Sequence, residues 1–190
     1  MSVIVISHMF AGSSAEVWYP AVQAEFAEAG CRVLVPDLPD PAAPELTAWL
    51  KALGHAVDPA FAGDTVLVGH SLGGVNVLRL LEAHDVDRYG PFKGVVLVAS
   101  MAKEVGYDAL AGFFAGGFDW DRIRKAAGDI RVLHAIDDPV TGSATTEHLA
   151  IFARDLGATV TLLPTGGHLP STGQELTELP QATRLIREIL

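Results

Sequence analysis

The sequence predicts one α/β domain, a three-layer sandwich in which helices cover both faces of a six-stranded parallel sheet. Two observations carry this prediction: six short runs rich in Val, Ile and Leu, and helical stretches between them. Near-continuous apolar runs are typical of parallel strands that are buried on both faces. A chain of 190 residues, 49% of them hydrophobic, is long enough to bury such a core.

Strands and helices alternate along the chain, which favours right-handed crossovers and the strand order 2-1-3-4-5-6. The strands are expected at residues 3–6, 32–35, 65–68, 94–98, 131–136 and 159–163. The helices are expected at residues 16–29, 44–56, 71–83, 145–156 and 176–190. Ligands of open α/β sheets bind beyond the carboxyl ends of the strands, so functional residues are expected there.

Residues 100–129 interrupt this alternation because they are too long for a plain crossover. They contain five aromatic residues among small ones: Tyr107, Phe113, Phe114, Phe118 and Trp120. We expect a small cap over the functional site in this segment. An ordinary crossover helix with buried aromatic side chains is the alternative.

Composition and charge restrict the partners and the location. A net charge of −10 argues against binding to nucleic acid. The N-terminus lacks the pattern of a secretory signal, and no run approaches the roughly 20 apolar residues that span a bilayer. Cys31 is the single cysteine and precedes a buried strand, so a structural role and a reducing compartment are expected. We therefore predict a cytoplasmic protein without a membrane partner.

Ser71 lies in the pattern Gly-x-Ser-x-Gly, between the third predicted strand and a helix. This is the context of a nucleophile elbow, a turn so sharp that only glycine fits at positions 69 and 73. The serine hydroxyl is then exposed at a helix N-terminus, where the Leu72 amide can stabilise an oxyanion. Ser71 is the predicted nucleophile, and a glycine-rich turn that only resembles an elbow is the alternative. His70, inside the motif, is expected to pack or hydrogen-bond beside it.

A serine nucleophile needs a base, and the base needs an acid that orients it. In the α/β-hydrolase fold the chain order is Ser, Asp or Glu, then His, each after a strand. Asp137 and Asp138 follow the fifth predicted strand, and His168 follows the sixth after two glycines. His168 is the predicted base. Because successive side chains point to opposite sides, only one aspartate can face His168, and Asp138 is favoured over Asp137.

The loop after the first strand is expected to supply the second oxyanion donor, the backbone amide of Phe10. The Phe10 side chain would then line the acyl pocket. His8, Phe114 and Trp120 are the other expected substrate-binding residues. The spacing of the histidines does not resemble a metal site, so neither a metal nor a cofactor is expected.

Over nearly its whole length the chain resembles the retinoblastoma-binding protein 9/YdeN-like branch of the α/β-hydrolases. The resemblance is carried by His8 with Gly12-Ser13-Ser14 and Trp18, Leu38-Pro39-Asp40-Pro41 with Trp49, Gly69-His70-Ser71, Trp120, Asp137-Asp138-Pro139 and Gly166-Gly167-His168. Family members use the second aspartate of the pair, which supports Asp138. The resemblance implies a serine hydrolase or carboxylesterase, and at least one relative is named for a protein partner.

The predicted triad and oxyanion donors favour acyl transfer to water from a small ester or thioester, through an acyl-enzyme on Ser71. The alternative is a partner-binding protein on a hydrolase scaffold, with weak or vestigial catalysis. Covalent labelling of Ser71 by a fluorophosphonate would separate these two functions.

Overall fold

The computed structural model describes residues 1–170 and 175–190. Its centre is a six-stranded parallel sheet in the order β2-β1-β3-β4-β5-β6, so the predicted fold class and strand order are confirmed. The strands are β1 (Val3–Ser7), β2 (Arg32–Leu34), β3 (Thr65–His70), β4 (Phe92–Val98), β5 (Ala127–Ala135) and β6 (Thr159–Leu163). Within the described residues, no helix has both the length and the apolar character needed to cross a membrane.

Eight α-helices lie in the described part of the chain. They are α1 (Tyr19–Glu28), α2 (Leu46–Ala56), α3 (Leu72–Ala83), α4 (Val86–Tyr89), α5 (Ala111–Phe114), α6 (Trp120–Lys125), α7 (Thr145–Asp155) and α8 (Pro180–Ile189). Helices α1 and α8 begin three and four residues later than predicted. Both have a proline in the first turn. Proline fits there because the first amides of a helix have no intrahelical partner.

Successive residues of the central strands face opposite layers. Val66 and Val68 of β3 pack in one apolar cluster with residues of α1 and α8. Leu67, between them, packs in the other cluster with residues of α2, α3, α6 and α7. All three side chains are fully buried, as a parallel sheet covered on both faces requires.

Strand β5 begins at Ala127, four residues before the predicted start at residue 131. Its pairing with β4 already starts at Phe92 and Ala127. The sequence pattern misses this part of the strand because it contains Gly128 and the charged Asp129. The Asp129 side chain forms an ion pair with Arg131 at 2.9 Å instead of entering the core. Residues 127–129 therefore belong to the sheet, which corrects the expected cap boundary of 100–129.

The connecting segment, residues 99–126, is attached to α3 by the buried side chain of Arg79. Its Nε donates to the carbonyl of Phe113 at 2.9 Å and its Nη2 to that of Ala115 at 3.1 Å. Its Nη1 pairs with Glu82 at 2.6 Å, and Glu82 also accepts the amide of Asp119. These bonds fix the connecting segment to the helix that starts next to Ser71.

The turn from β3 into α3 depends on backbone contacts that exclude a β-carbon. Ser71 itself has φ 55° and ψ −122°, a strained conformation for a residue other than glycine. At Gly73 an added Cβ would lie 2.1 Å from the carbonyl oxygen of Ser7 and 2.4 Å from that of His8. Neither oxygen can move without shifting the end of β1.

We expect Gly73→Ala to destabilise the fold by at least about 3 kcal/mol, because the clash is with backbone atoms. Gly54→Ala is the matched control: it lies in α2, and an added Cβ there meets nothing within 4 Å. Alanine should stabilise that helix by roughly 0.5–1 kcal/mol. Urea unfolding of both variants measures the difference. A Gly73→Ala protein as stable as the wild type would contradict the account of the turn.

Candidate active site

The carboxyl ends of β3, β5 and β6 bring Ser71, Asp138 and His168 together. The Nε2 atom of His168 lies 2.7 Å from Ser71 Oγ, and its Nδ1 atom lies 2.8 Å from Asp138 Oδ2. Because a carboxylate can only accept, Nδ1 carries the hydrogen and Nε2 accepts the serine hydroxyl. This arrangement allows the imidazole to take the proton of Ser71.

Asp138 is 1% exposed, and its carboxylate accepts several hydrogen bonds. Besides His168, the donors are His134 Nε2 to Oδ2 at 2.9 Å and the Val140 amide to Oδ1 at 2.8 Å. Burial alone raises the pKa of the Asp138 carboxyl. The hydrogen bonds from His134 and His168 outweigh burial and hold the pKa below its usual range. Asp138 is therefore an anion at neutral pH and can stabilise an imidazolium.

Asp137 points away from the His168 ring and binds the loop that carries it. Its carboxylate accepts the amide of Gly167 at 2.9 Å and that of Gly166 at 3.3 Å. The two aspartates thus face opposite sides of the turn. Asp138 contacts the imidazole, while Asp137 holds the backbone just before it.

Two more side chains hold the His168 loop from the elbow side. The His70 Nε2–H donates to the carbonyl of His168 at 3.3 Å, and Trp18 Nε1–H donates to that of Leu169 at 3.1 Å. His70 Nδ1 in turn accepts the Tyr19 hydroxyl at 2.7 Å. Burial, and the nearby His168, lower the pKa of His70 to about 3. His70 therefore stays neutral and keeps this pattern of donor and acceptor.

His8 does not contact the cavity, which corrects its expected role in substrate binding. The ring is fully buried, because it fastens the loop after β1 to the loop after β2. Its Nδ1–H donates to the carbonyl of Met9, and its Nε2 accepts the amide of Leu38, both at 2.9 Å. Burial lowers the pKa of His8, which favours the neutral ring that this contact requires.

The amides around Phe10 have distinct partners. The Met9 amide donates to the Tyr19 hydroxyl oxygen at 3.2 Å, and the Ala11 amide donates to the Pro41 carbonyl at 2.8 Å. Within residues 1–170 and 175–190, the amides of Phe10 and Leu72 have no hydrogen-bond acceptor. Both amides, the predicted oxyanion donors, can therefore accommodate a hydrogen-bond acceptor.

A cavity of about 550 Å³ opens over Ser71 and His168. Apolar residues from three segments form most of its wall: the loop after β1, the connecting segment and the loop after β5. Its lining residues are Met9, Phe10, Ala11, Val17, Ser71, Met101, Tyr107, Ala109, Leu110, Pro139, Val140, His168 and Pro170. Among these, Ser71, Tyr107 and His168 have polar side chains.

Of the expected substrate-binding side chains, Phe10 lines this cavity, whereas Phe114 and Trp120 do not. Phe114 is buried in an apolar cluster behind the wall, together with Met101 and Leu110. Trp120 stacks on Phe118, with ring centroids 4.8 Å apart, and borders a separate depression. Both rings pack against Phe118 of the connecting segment instead of lining the cavity, which corrects the expectation for both residues.

His134 is the residue that sequence reasoning missed. The ring is fully buried and contacts the Asp138 carboxylate. The spacing of four residues to Asp138 gives no signal, because it crosses the end of β5 into a loop. Among the described residues, no group of three His, Cys, Asp or Glu side chains could hold a metal ion.

Residues 4–188 match the family described as serine hydrolases. The chain belongs to the serine hydrolase family. It is 28% identical to YdeN of Bacillus subtilis over 166 residues, which cover 87% of this chain and 84% of YdeN. It is 24% identical to the serine hydrolase RBBP9 of Rattus norvegicus over 112 residues, 58% of this chain and 56% of that one. The predicted family is thereby confirmed.

Solved structures share the fold of this chain. The crystal structure of the ydeN gene product from B. subtilis has a TM-score of 0.88 and 26% identity, covering 100% of this chain and 98% of that one. Est1E from Butyrivibrio proteoclasticus, solved with ferulic acid, shares the fold. Its TM-score is 0.73 at 17% identity, over 99% of this chain and 89% of that one.

The buried histidines should make stability fall with acid. Burial lowers the pKa of His148 to about 4, whereas an unfolded histidine titrates near 6.5. The unfolded chain therefore binds more protons below pH 6.5, and stability is lost as the pH falls towards 4. Between pH 7 and pH 5, His148 should contribute about 2 kcal/mol to this loss.

We expect the loss of unfolding free energy between pH 7 and pH 5 to be smaller in His148→Asn than in the wild type by about 2 kcal/mol. Asparagine keeps an acceptor for the Ala102 amide, which His148 Nδ1 accepts at 3.0 Å. His55→Asn is the control, because His55 is exposed on α2 and should leave the loss unchanged. Urea unfolding at both pH values measures this loss of unfolding free energy. Equal losses in all three proteins would contradict this explanation.

Proposed function

We propose that this chain is a carboxylesterase-type hydrolase that cleaves small ester or thioester substrates through an acyl-enzyme on Ser71. The hydrogen-bonded series Ser71, His168 and Asp138 at the floor of an apolar cavity carries the proposal. Membership of the serine hydrolase family supports it independently.

In the first half of the reaction His168 Nε2 takes the proton of Ser71 as Oγ attacks the substrate carbonyl carbon. The new C–O bond converts the carbonyl oxygen to an oxyanion. When the tetrahedral species collapses, the bond to the leaving alcohol or thiol breaks, and His168 returns the proton to that group. Asp138 stabilises the imidazolium between these steps. Water then attacks the acyl-enzyme by the same route, releasing the acid and restoring Ser71.

The amides of Phe10 and Leu72 are the proposed donors to the oxyanion. The Phe10 amide lies between the amides of Met9 and Ala11, which both donate to other acceptors. The Leu72 amide is at the N-terminus of α3, next to Ser71. The dipole of that helix adds positive potential at the same point. Fixed donors of this kind stabilise the transition state without reorganising during the reaction.

The size and lining of the cavity favour substrates with uncharged, apolar acyl groups of modest size. Its volume of about 550 Å³ lies within the usual range of small-molecule sites. The described lining residues include no lysine or arginine, and most are apolar. We assign the role of a small cap to residues 100–126, because Met101, Tyr107 and Leu110 of this segment form one wall of the cavity.

The ester series that tests this proposal compares p-nitrophenyl butanoate with the p-nitrophenyl monoester of succinate. We expect kcat/KM for the neutral ester to be at least roughly tenfold higher, because the apolar wall offers no partner to a carboxylate. Ser71→Ala provides the background and should lose on the order of 10⁶ in kcat. Equal rates for the two esters would refute the substrate class, and substantial activity in Ser71→Ala would refute the nucleophile.

The two aspartates provide a matched pair of variants. Asp138→Asn should reduce kcat by about 10²–10⁴, because an amide can impose the wrong tautomer on His168. Asp137→Asn should lose less than about tenfold, because its side-chain oxygen still accepts the Gly167 amide. Steady-state kinetics with circular dichroism as a folding control measures both. The reverse order of losses would assign the acid to Asp137.

A further inference from the structure

A second imidazole contacts the carboxylate that orients His168. His134, at the end of β5, is 0% exposed, and its Nε2 lies 2.9 Å from Asp138 Oδ2. The same oxygen accepts His168 Nδ1 at 2.8 Å. The two rings therefore meet at one atom, yet His134 lies outside the cavity lining and takes no part in the proton transfers proposed above.

The neighbouring hydroxyls determine which ring nitrogen of His134 carries the hydrogen. Thr145 Oγ1 lies 2.8 Å from the Gly142 carbonyl, which can only accept, so the Thr145 hydroxyl donates there. Thr141 Oγ1, 2.7 Å from Thr145 Oγ1, must then donate to it. Because the Thr141 hydroxyl hydrogen is used in this way, Thr141 Oγ1 can only accept from His134 Nε2, which lies 3.3 Å away. Facing a hydroxyl acceptor and a carboxylate, Nε2 is the protonated nitrogen.

We propose that His134 is a positioning residue whose Nε2–H holds the Asp138 carboxylate in the orientation that His168 requires. This inference rests on the proposed function of the same site. The terminal torsion of an aspartate is soft, so a carboxylate needs external contacts to fix its plane. Here the Val140 amide holds Oδ1 and His134 holds Oδ2, and rotation would break one of these bonds.

Two variants separate the hydrogen bond from the volume of the ring. His134→Phe keeps a buried ring and removes the donor, whereas His134→Gln keeps an N–H donor at a similar distance from the backbone. We expect His134→Phe to lower kcat roughly 10- to 100-fold, the range for losing one hydrogen bond to a charged group. KM should stay within about twofold, because His134 does not line the cavity. His134→Gln should recover at least about half of the lost activity on a logarithmic scale.

His84→Phe is the matched control. His84 is also buried, but its Nε2 bonds to the carbonyl of Gly90, beyond the C-terminus of α3. Its replacement should affect stability without changing kcat.

Proton NMR tests the positioning without ester turnover. The His168 Nδ1 hydrogen, bonded to a buried carboxylate, should give a strongly deshielded resonance in the wild type and in His134→Gln. The resonance should shift upfield or broaden in His134→Phe. If the wild type hydrolysed no ester, the proposed function would fail while this readout still tested the contact.

An active, folded His134→Phe with wild-type kcat and an unchanged resonance would overturn the inference. Equal losses in the phenylalanine and glutamine variants would also overturn it, because ring volume would then explain the effect. If His134→Phe does not fold, the ¹⁵N chemical shifts of His134 in the wild type test the inference, because they report which ring nitrogen carries the hydrogen. The inference requires hydrogen on Nε2, and hydrogen on Nδ1 alone would contradict it.

Discussion

The approach of α3 to the end of β1 fixes the position of Ser71, around which the other groups at the site are arranged. Gly73 lies so close to the Ser7 and His8 carbonyls that no side chain fits between them. This contact sets the N-terminus of α3, and with it Ser71, beside the loop that follows β1. Phe10 follows two residues after His8 and lines the same cavity as Ser71.

Neutral histidines form much of the framework around this turn. His8 joins two loops, and His70 links the Tyr19 hydroxyl to the backbone of His168. Burial lowers the pKa of both rings, as it does for His148. A ring that stays neutral keeps one donor and one acceptor, so it can join two fixed backbone groups. The His168 side chain is 12% exposed and lines the cavity.

The sequence allowed the fold and the main residues of the site to be predicted because both depend on local patterns and chain order. Buried strands of Val, Ile and Leu can be recognised without tertiary contacts, and the elbow motif determines its own geometry. The start of β5 was missed because it contains the charged Asp129, whose side chain pairs with Arg131 at the sheet surface. The role of His8 depends on which loops meet in the folded chain. The roles of Trp120 and His134 depend on where their rings pack, which the hydrophobic pattern does not contain.

The two aspartates of one turn also show what the sequence pattern predicts and what it does not. Alternation of side chains predicted that one of them faces His168 and the other does not. It did not predict that Asp137 binds the amides of Gly166 and Gly167, and so holds the loop that carries His168. The exposed aspartate and the buried one therefore position the same imidazole, one through the backbone and one through the ring.

The most direct test of the central claim is mass spectrometry of the protein after brief reaction with p-nitrophenyl acetate and acid quenching. The account predicts a gain of one acetyl group, located by peptide mapping on Ser71 and absent from Ser71→Ala. Continued ester hydrolysis by Ser71→Ala, or an acetyl group trapped on another residue of the active wild type, would contradict it.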